Sequence, residues 1–279
     1  EIRLSLVGSE MCIRDRTSAG LVCAWFAGTE ESHPDVEIWL SRQVDGVWSE
    51  PVSVANGIQE DGSRLPCWNP VLISVGPRLY LFYKVGPNPR EWWGLVMASD
   101  DQGKTWGAAT RLPEGILGPI KNKPLLLDGE RLLCGSSSEH DGWRVHTEWT
   151  TDRGRTWERS AALNDLGELE SIQPTLLRSA DGSLRMLCRS RSSGRITTAT
   201  STDLGRSWSP LSKTELPNPS SGIDGVTLAD GRQALVYNHT DRGRSPLNLA
   251  LSEDGQQWSA AAVLVDERRS EFSYPAIIQ

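Results

Sequence analysis

Short apolar runs, each set off by a turn-forming pair, recur along the whole chain, and no stretch shows a helical period. Residues 79–83, 132–134, 184–188 and 234–237 are such runs. Several follow turns such as Ala180-Asp181-Gly182-Ser183 or Asp128-Gly129-Glu130. Asp-Gly between apolar runs predicts a hairpin, so each run pairs with the one before it. Those preceding runs share a signature: Asn69-Pro70-Val71-Leu72-Ile73, Lys123-Pro124-Leu125-Leu126-Leu127, Gln173-Pro174-Thr175-Leu176-Leu177 and Tyr274-Pro275-Ala276-Ile277-Ile278. Proline is tolerated at the first residue of a strand, where no ladder donor is needed. Residues 222–228 take the same slot without a proline.

A third strand then leads into a repeated phrase, Ser/Thr-x-Asp-x-Gly-x-x-Trp. It ends at Trp106, Trp157 and Trp208, 51 residues apart each time, and a shortened copy, Ser252 to Trp258, follows 50 residues later. A short fourth strand is predicted after each Trp. Four strands per repeat of about 50 residues describe a β-propeller blade. Within the phrase, Asp accepts backbone amides of its own turn, Gly supplies a positive φ and Trp is expected to bury between neighbouring sheets. Asp101, Asp152, Asp203 and Asp254 are therefore structural, not catalytic.

Composition refines this picture at a few points. Twelve Trp against three Phe and four Tyr is unusual, and four of the Trp belong to the repeat. A formal charge of −7 argues against nucleic acid or an anionic membrane as partner, since both require a basic field. Five Cys without a CxxC pair suggest neither a disulfide framework nor a zinc site; Cys134 and Cys188 are expected as reduced core thiols. No run of 18 apolar residues exists to span a membrane. Residues 1–16 carry no initiator Met, lack the layout of a signal peptide and break the repeat, so they are expected to be a non-native leader.

The Asp/Gly phrases resemble the Asp-boxes of the sialidase (neuraminidase) superfamily from about Leu21 onward. Ala24-Trp25-Phe26-Ala27-Gly28-Thr29-Glu30, Asp35-Val36-Glu37-Ile38-Trp39-Leu40-Ser41-Arg42 and Ile120-Lys121-Asn122-Lys123-Pro124 resemble the bacterial and plant proteins of the predicted-neuraminidase type. The resemblance implies an all-β, six-bladed propeller truncated at both ends. Residues 17–279 then form a single propeller: a first blade without its inner strand and with a degenerate box at Val47-Trp48, blades two to five, and the opening of a sixth at Tyr274.

The resemblance also implies a chemistry. Sialidases hold the sugar's carboxylate with three arginines, attack with a Tyr activated by a Glu, and protonate the leaving group with an Asp, departing from the two-carboxylate pattern of most glycosidases. A neutral nucleophile suits an anomeric carbon that already bears a carboxylate. Carried over position by position, Tyr274 is the nucleophile, Glu170 its partner and Asp35 the acid/base. Arg189 or Arg191 is one arginine of the clamp and Arg244 another; strand alternation puts Arg189 and Arg191 on one face, so both remain candidates. The remaining arginine of the clamp falls in the strand that the first blade lacks.

Counting 14 or 15 residues on from each inner-strand start lands on Lys84, Glu139, Arg189 and His239. Unlike polar residues at one repeated slot mark a binding surface, because a structural position would repeat one residue type. Lys121, Lys123, His140, Asn238 and the pair Trp92-Trp93 add cations and aromatic faces. The expected function is a retaining glycosidase acting as a monomer on an acidic oligosaccharide or glycoconjugate, by a chemistry that requires neither metal nor cofactor. Two rivals share the scaffold: a lyase or glycosidase directed at uronic acids, and a non-catalytic glycan-binding propeller.

Overall fold

The computed structural model describes residues 9–267 and 270–279, with side chains from Asp15 onward. Among the described residues every regular element is a β-strand. The chain divides into two compact units, Glu1–Arg111 and Leu112–Gln279.

The first unit holds two antiparallel sheets. One comprises β1 (Ser9–Thr17), β2 (Gly20–Ala27), β3 (Glu37–Val44) and β4 (Val47–Trp48) in that order, with β5 (Val52–Ala55) also pairing β3. The other runs β6 (Cys67–Val75), β7 (Arg78–Val85), β8 (Trp93–Ser99) and β9 (Thr110–Arg111). The inner-strand place that the sequence leaves empty is taken by β1, which pairs β2 from Thr17↔Gly20 to Ser9↔Ala27. Such a ladder is a matter of backbone groups finding partners, which side-chain patterns do not announce. Residues 1–8 of the expected leader lie outside the described residues. The degenerate box is a two-residue hairpin: Val44 pairs Val47 across Asp45 (φ 52°) and Gly46 (φ 80°), the backbone that an Asp-Gly turn favours. Cys23 is disulfide-bonded, which the cysteine count did not suggest, whereas Cys67, Cys134 and Cys188 are buried and outside any disulfide.

The second unit holds three four-stranded meanders: β10 (Leu125–Leu127) to β13 (Glu158–Arg159) through β11 (Arg131–Ser138) and β12 (Arg144–Thr150); β14 (Ser171–Arg178), β15 (Leu184–Ser190), β16 (Arg195–Ser201) and β17 (Ser212–Pro217); and β18 (Asp224–Thr227), β19 (Gln233–Tyr237), β20 (Leu247–Ser252) and β21 (Ser259–Val265). All residues of β15 and β19 are buried, and their runs are continuous instead of alternating; the β14–β17 sheet packs between the sheets of β11 and β18. One core joins Leu127, Leu133 and Val145 to Leu176, Leu184 and Met186; the next joins Leu177, Leu187 and Ile196 to Ile223, Leu235 and Tyr237.

The repeated phrase sits on those cores as expected. Ser201 Oγ accepts the Gly205 amide (2.8 Å), and Asp203 accepts the amide and hydroxyl of Ser207 (2.9 and 2.6 Å); the copies at Ser99 and Thr150 repeat the pattern. Trp208 packs on the first core and Trp258 on the second, but both are half-buried, not sandwiched as the sequence suggested.

Two expectations change. Two inner strands with an x-Pro start, β6 and β14, carry a bulge: the pairing skips Asn69-Pro70 and Gln173-Pro174, and Asn69 and Gln173, like Tyr274 outside any strand, take left-handed φ values of 43°, 54° and 52°. A bulge turns the residue before proline out of the strand's alternation and re-aims its side chain. The second change concerns blade number. The described residues form five blades, two in the first unit and three in the second, not six. Residues 273–279 form no strand, since no second strand lies beside them to complete a ladder.

Candidate functional site

The site in the second unit is built from the loop Ile120-Lys121-Asn122-Lys123, which reaches the starts of successive inner strands. Asn122 Nδ2 donates to the Gln173 carbonyl (3.1 Å) and Lys123 Nζ pairs with the buried Asp224 (2.7 Å). Lys121 Nζ spends three donors on Asn122 Oδ1, Ile223 O and Pro275 O (2.8, 3.0 and 2.9 Å). Burial pulls the Lys121 ammonium down to about 8, with Asp224 pulling the other way.

Tyr274 stands immediately before Pro275, and its ring meets two arginines. Arg189, 8% exposed at the end of β15, donates from Nη1 to Tyr274 Oη (3.2 Å) and to Gln173 Oε1 (3.3 Å). Its guanidinium also lies 5.0 Å from the Trp143 ring centroid and 5.8 Å from that of Tyr274. Arg244 approaches the Tyr274 ring to 5.7 Å while bonding Glu271 (2.5 Å) and Ser273 (3.1 Å). The Glu271 carboxyl is held below its usual range, chiefly by the Ser273 hydroxyl and also by Arg244 and Arg189. Arg191, past the strand end and exposed, instead pairs with Glu170 (3.1 Å), whose Oε1 also faces the Trp143 amide (3.5 Å). Arg189 Nε, buried, has no hydrogen-bond partner.

The structure thus brings together Arg189, Arg191, Arg244, Glu170 and Tyr274. It removes Lys121 and Asn238 from the ligand surface: Lys121 is 2% exposed with its donors spent, and Asn238, fully buried, holds the carbonyls of Arg244, Pro246 and Phe272 (3.0, 3.0 and 3.2 Å). Their polar ends are satisfied by backbone, so they organise the site from behind. His239 is exposed with Nδ1 against Tyr237 Oη (2.5 Å); His140 is exposed beside Asp141 (3.5 Å); Glu139 is half-buried just past β11.

In the first unit, Lys84 is fully buried opposite Trp68 in the β6–β7 ladder, which leaves it no surface for a ligand. Asp35 lies in the loop before β3. The Thr29 hydroxyl (2.6 Å) and amide (3.0 Å), then His33 (2.6 Å), hold its carboxyl down to about 2. A groove of about 1220 Å³ in this unit is lined by Val52, Tyr83, Trp93, Trp106 and Arg111 among others; of the residues assigned to a ligand surface from the sequence, it includes Trp93. Among the described residues no His, Cys, Asp and Glu side chains gather in a group able to hold a metal ion.

The sequence profile of the BNR repeat-like domain matches residues 19–279. The chain belongs to this family. Among solved structures, this BNR repeat-like chain is similar to the Hadza microbial sialidase Hz136 (16% identity, 93% of this chain and 59% of that one, TM-score 0.78). It is also similar to the NanB sialidase from Streptococcus pneumoniae (14% identity, 97% and 63%, TM-score 0.76) and to a protein of unknown function from Dyadobacter fermentans (15% identity, 96% and 86%, TM-score 0.77). At these identities the likeness establishes a shared β-propeller fold, and the chain spans less than two thirds of either sialidase. No curated protein sequence matches it.

Several residues of the BNR repeat-like site were not singled out for a role in the sequence: Trp143, Gln173, Glu271 and Ser273. Gln173 carried a signal, since it occupies the same x-Pro slot as Tyr274. Trp143 follows Asp141-Gly142 in a loop outside any repeat, and Glu271 lies three residues before Tyr274 with no counterpart upstream. Nothing periodic marks them.

Proposed function

We propose that this chain is a glycosidase of the sialidase type, removing a terminal acidic sugar with retention of configuration. One observation carries the proposal: the buried Arg189 donates to Tyr274 Oη at 3.2 Å while Arg244 lies 5.7 Å from the same ring. A guanidinium donating to a phenol stabilises negative charge as it develops on that oxygen, and a second guanidinium offers a carboxylate a charge-assisted partner. Arg189 and Arg244 hold the sugar's carboxylate. Tyr274 Oη attacks the anomeric carbon, its proton passing to Glu170, and the glycosyl–tyrosine bond is then cleaved by water.

On the sialidase pattern the role of proton donor to the leaving group is assigned to Asp35, in the first unit. A carboxyl held at about 2 is an anion at neutral pH and donates nothing, so this role requires that substrate binding displace the Thr29 bonds and raise it.

The test is hydrolysis of a fluorogenic α-sialoside, with the first-released anomer identified by proton NMR. The wild-type chain is expected to release the α-anomer, and Tyr274→Phe to lose about a hundredfold or more in kcat. Release of the β-anomer first, an unsaturated product absorbing in the ultraviolet, or unimpaired turnover by Tyr274→Phe contradicts the proposal.

A further inference from the structure

Residues 272–277 carry the tyrosine yet belong to no sheet, so no ladder fixes their course. Apart from one backbone bond, from the Phe272 amide to the Arg244 carbonyl (2.9 Å), what holds them is a set of buried polar side chains from elsewhere in the second unit. Lys121 Nζ donates to the Pro275 carbonyl (2.9 Å), Asp224 Oδ2 accepts the Ile277 amide (2.9 Å) and Asn238 Nδ2 donates to the Phe272 carbonyl (3.2 Å). Each is at most 2% exposed. Asp224 is itself fixed by Lys123 (2.7 Å), the Gly225 amide (2.9 Å) and the Thr175 hydroxyl (3.3 Å). Behind the ring, a Cβ on Gly222 would stand 2.9 Å from Tyr274 Cδ1 and 3.4 Å from Lys121 Cε, so only glycine leaves room for ring and ammonium chain together.

We propose that Lys121 and Asp224 are positioning residues which clamp the Pro275 carbonyl and the Ile277 amide just after Tyr274 and thereby hold its phenol against Arg189; this rests on the role proposed for Tyr274 above. Three features support the assignment. A left-handed φ of 52° on a bulky residue persists only where the surroundings hold it there. A lysine whose three donors all end on protein oxygens has none left for a ligand. One of those oxygens belongs to the residue directly after Tyr274, so the cost of burying a cation is met at the point where tyrosine placement is decided. Asn122 and Lys123 extend the same loop to Gln173 and Asp224, and Gln173 is the other acceptor of Arg189. One four-residue loop therefore sets both ends of the Arg189–Tyr274 contact.

The test uses the whole chain with two readouts, hydrogen exchange by mass spectrometry and turnover of the fluorogenic sialoside. Lys121→Met keeps the side chain's length and removes its donors; Gly222→Ala pushes on the ring and leaves the charges alone. Both are expected to speed exchange in the peptide covering residues 272–279 by about tenfold or more, with box peptides unchanged, and to lower kcat by about tenfold or more with KM within about threefold. Should Lys121→Met not fold, Gly222→Ala decides alone. Wild-type exchange and wild-type kcat in the folded variants, while Tyr274→Phe is inactive, overturn the clamp and leave the nucleophile standing. An inactive wild type, or an active Tyr274→Phe, defeats the nucleophile first, and the clamp's catalytic meaning falls with it.

Discussion

At Asp35 and at the box aspartates the same physics serves two ends. Hydroxyl and amide donors surround a carboxylate and hold it ionised: Thr29 pulls Asp35 down to about 2, and Thr156 does the same for Asp152, with Asp101, Asp203 and Asp254 also lowered. A folded-state pKa below the unfolded value of about 3.9 contributes stability that is present above about pH 4 and lost as pH falls through about 2. Chemical denaturation at pH 5 and at pH 2.5 should therefore show a clearly lower midpoint at the acid value; equal midpoints refute the account. The structural role of these aspartates was legible because one pattern of donors recurs with one sequence pattern. Arg189 and Arg191 were not separable, since alternation alone places them alike. The distinction arises because β15 ends at Ser190, leaving Arg191 outside the sheet to pair with Glu170. Lys84, Lys121 and Asn238 were misjudged as ligand contacts for a related reason: a polar residue at a repeated slot signals difference between blades, but only packing shows whether its polar end meets ligand or backbone.

Among elements, the box works as a joint between sheets. Gly205 combines a φ of 78° with a space already filled, since a Cβ there would lie 2.5 Å from Leu133 Cδ2 in the preceding sheet. Gly205→Ala must therefore strain the backbone and displace a fully buried leucine, and thermal unfolding should report a loss of about 2–4 kcal/mol. A loss within the ±0.5 kcal/mol of ordinary surface changes would show that the joint is slack. Hairpins, boxes and apolar runs were readable because turn chemistry and burial are local. The bulges at Asn69 and Gln173 were not, because proline at a strand start is compatible with a regular ladder and only the pairing reveals the skipped residues. The strand β1 lay hidden for the opposite reason: its sequence carries no repeat, and the unpaired edge of β2 supplies what pattern does not.

For the molecule as a whole, a net charge of −7 coexists with a cationic cluster in the second unit, where Arg189, Arg191, Arg244 and Lys123 stand near Tyr274 or its supports. Such a field draws a small anion locally while the surrounding charge disfavours polyanions. The propeller itself does not choose among a hydrolase, a lyase and a binding module. A test on Tyr274 does, because only the hydrolytic reading makes it a covalent partner. The most direct measurement is peptide-mapped mass spectrometry after brief incubation of the chain with an activated fluorinated sialoside, whose glycosyl–enzyme intermediate is slow to hydrolyse. The account predicts a single sugar adduct on Tyr274, absent from Tyr274→Phe. An adduct on Glu170 or any other residue, or none while the sugar is being consumed, contradicts it.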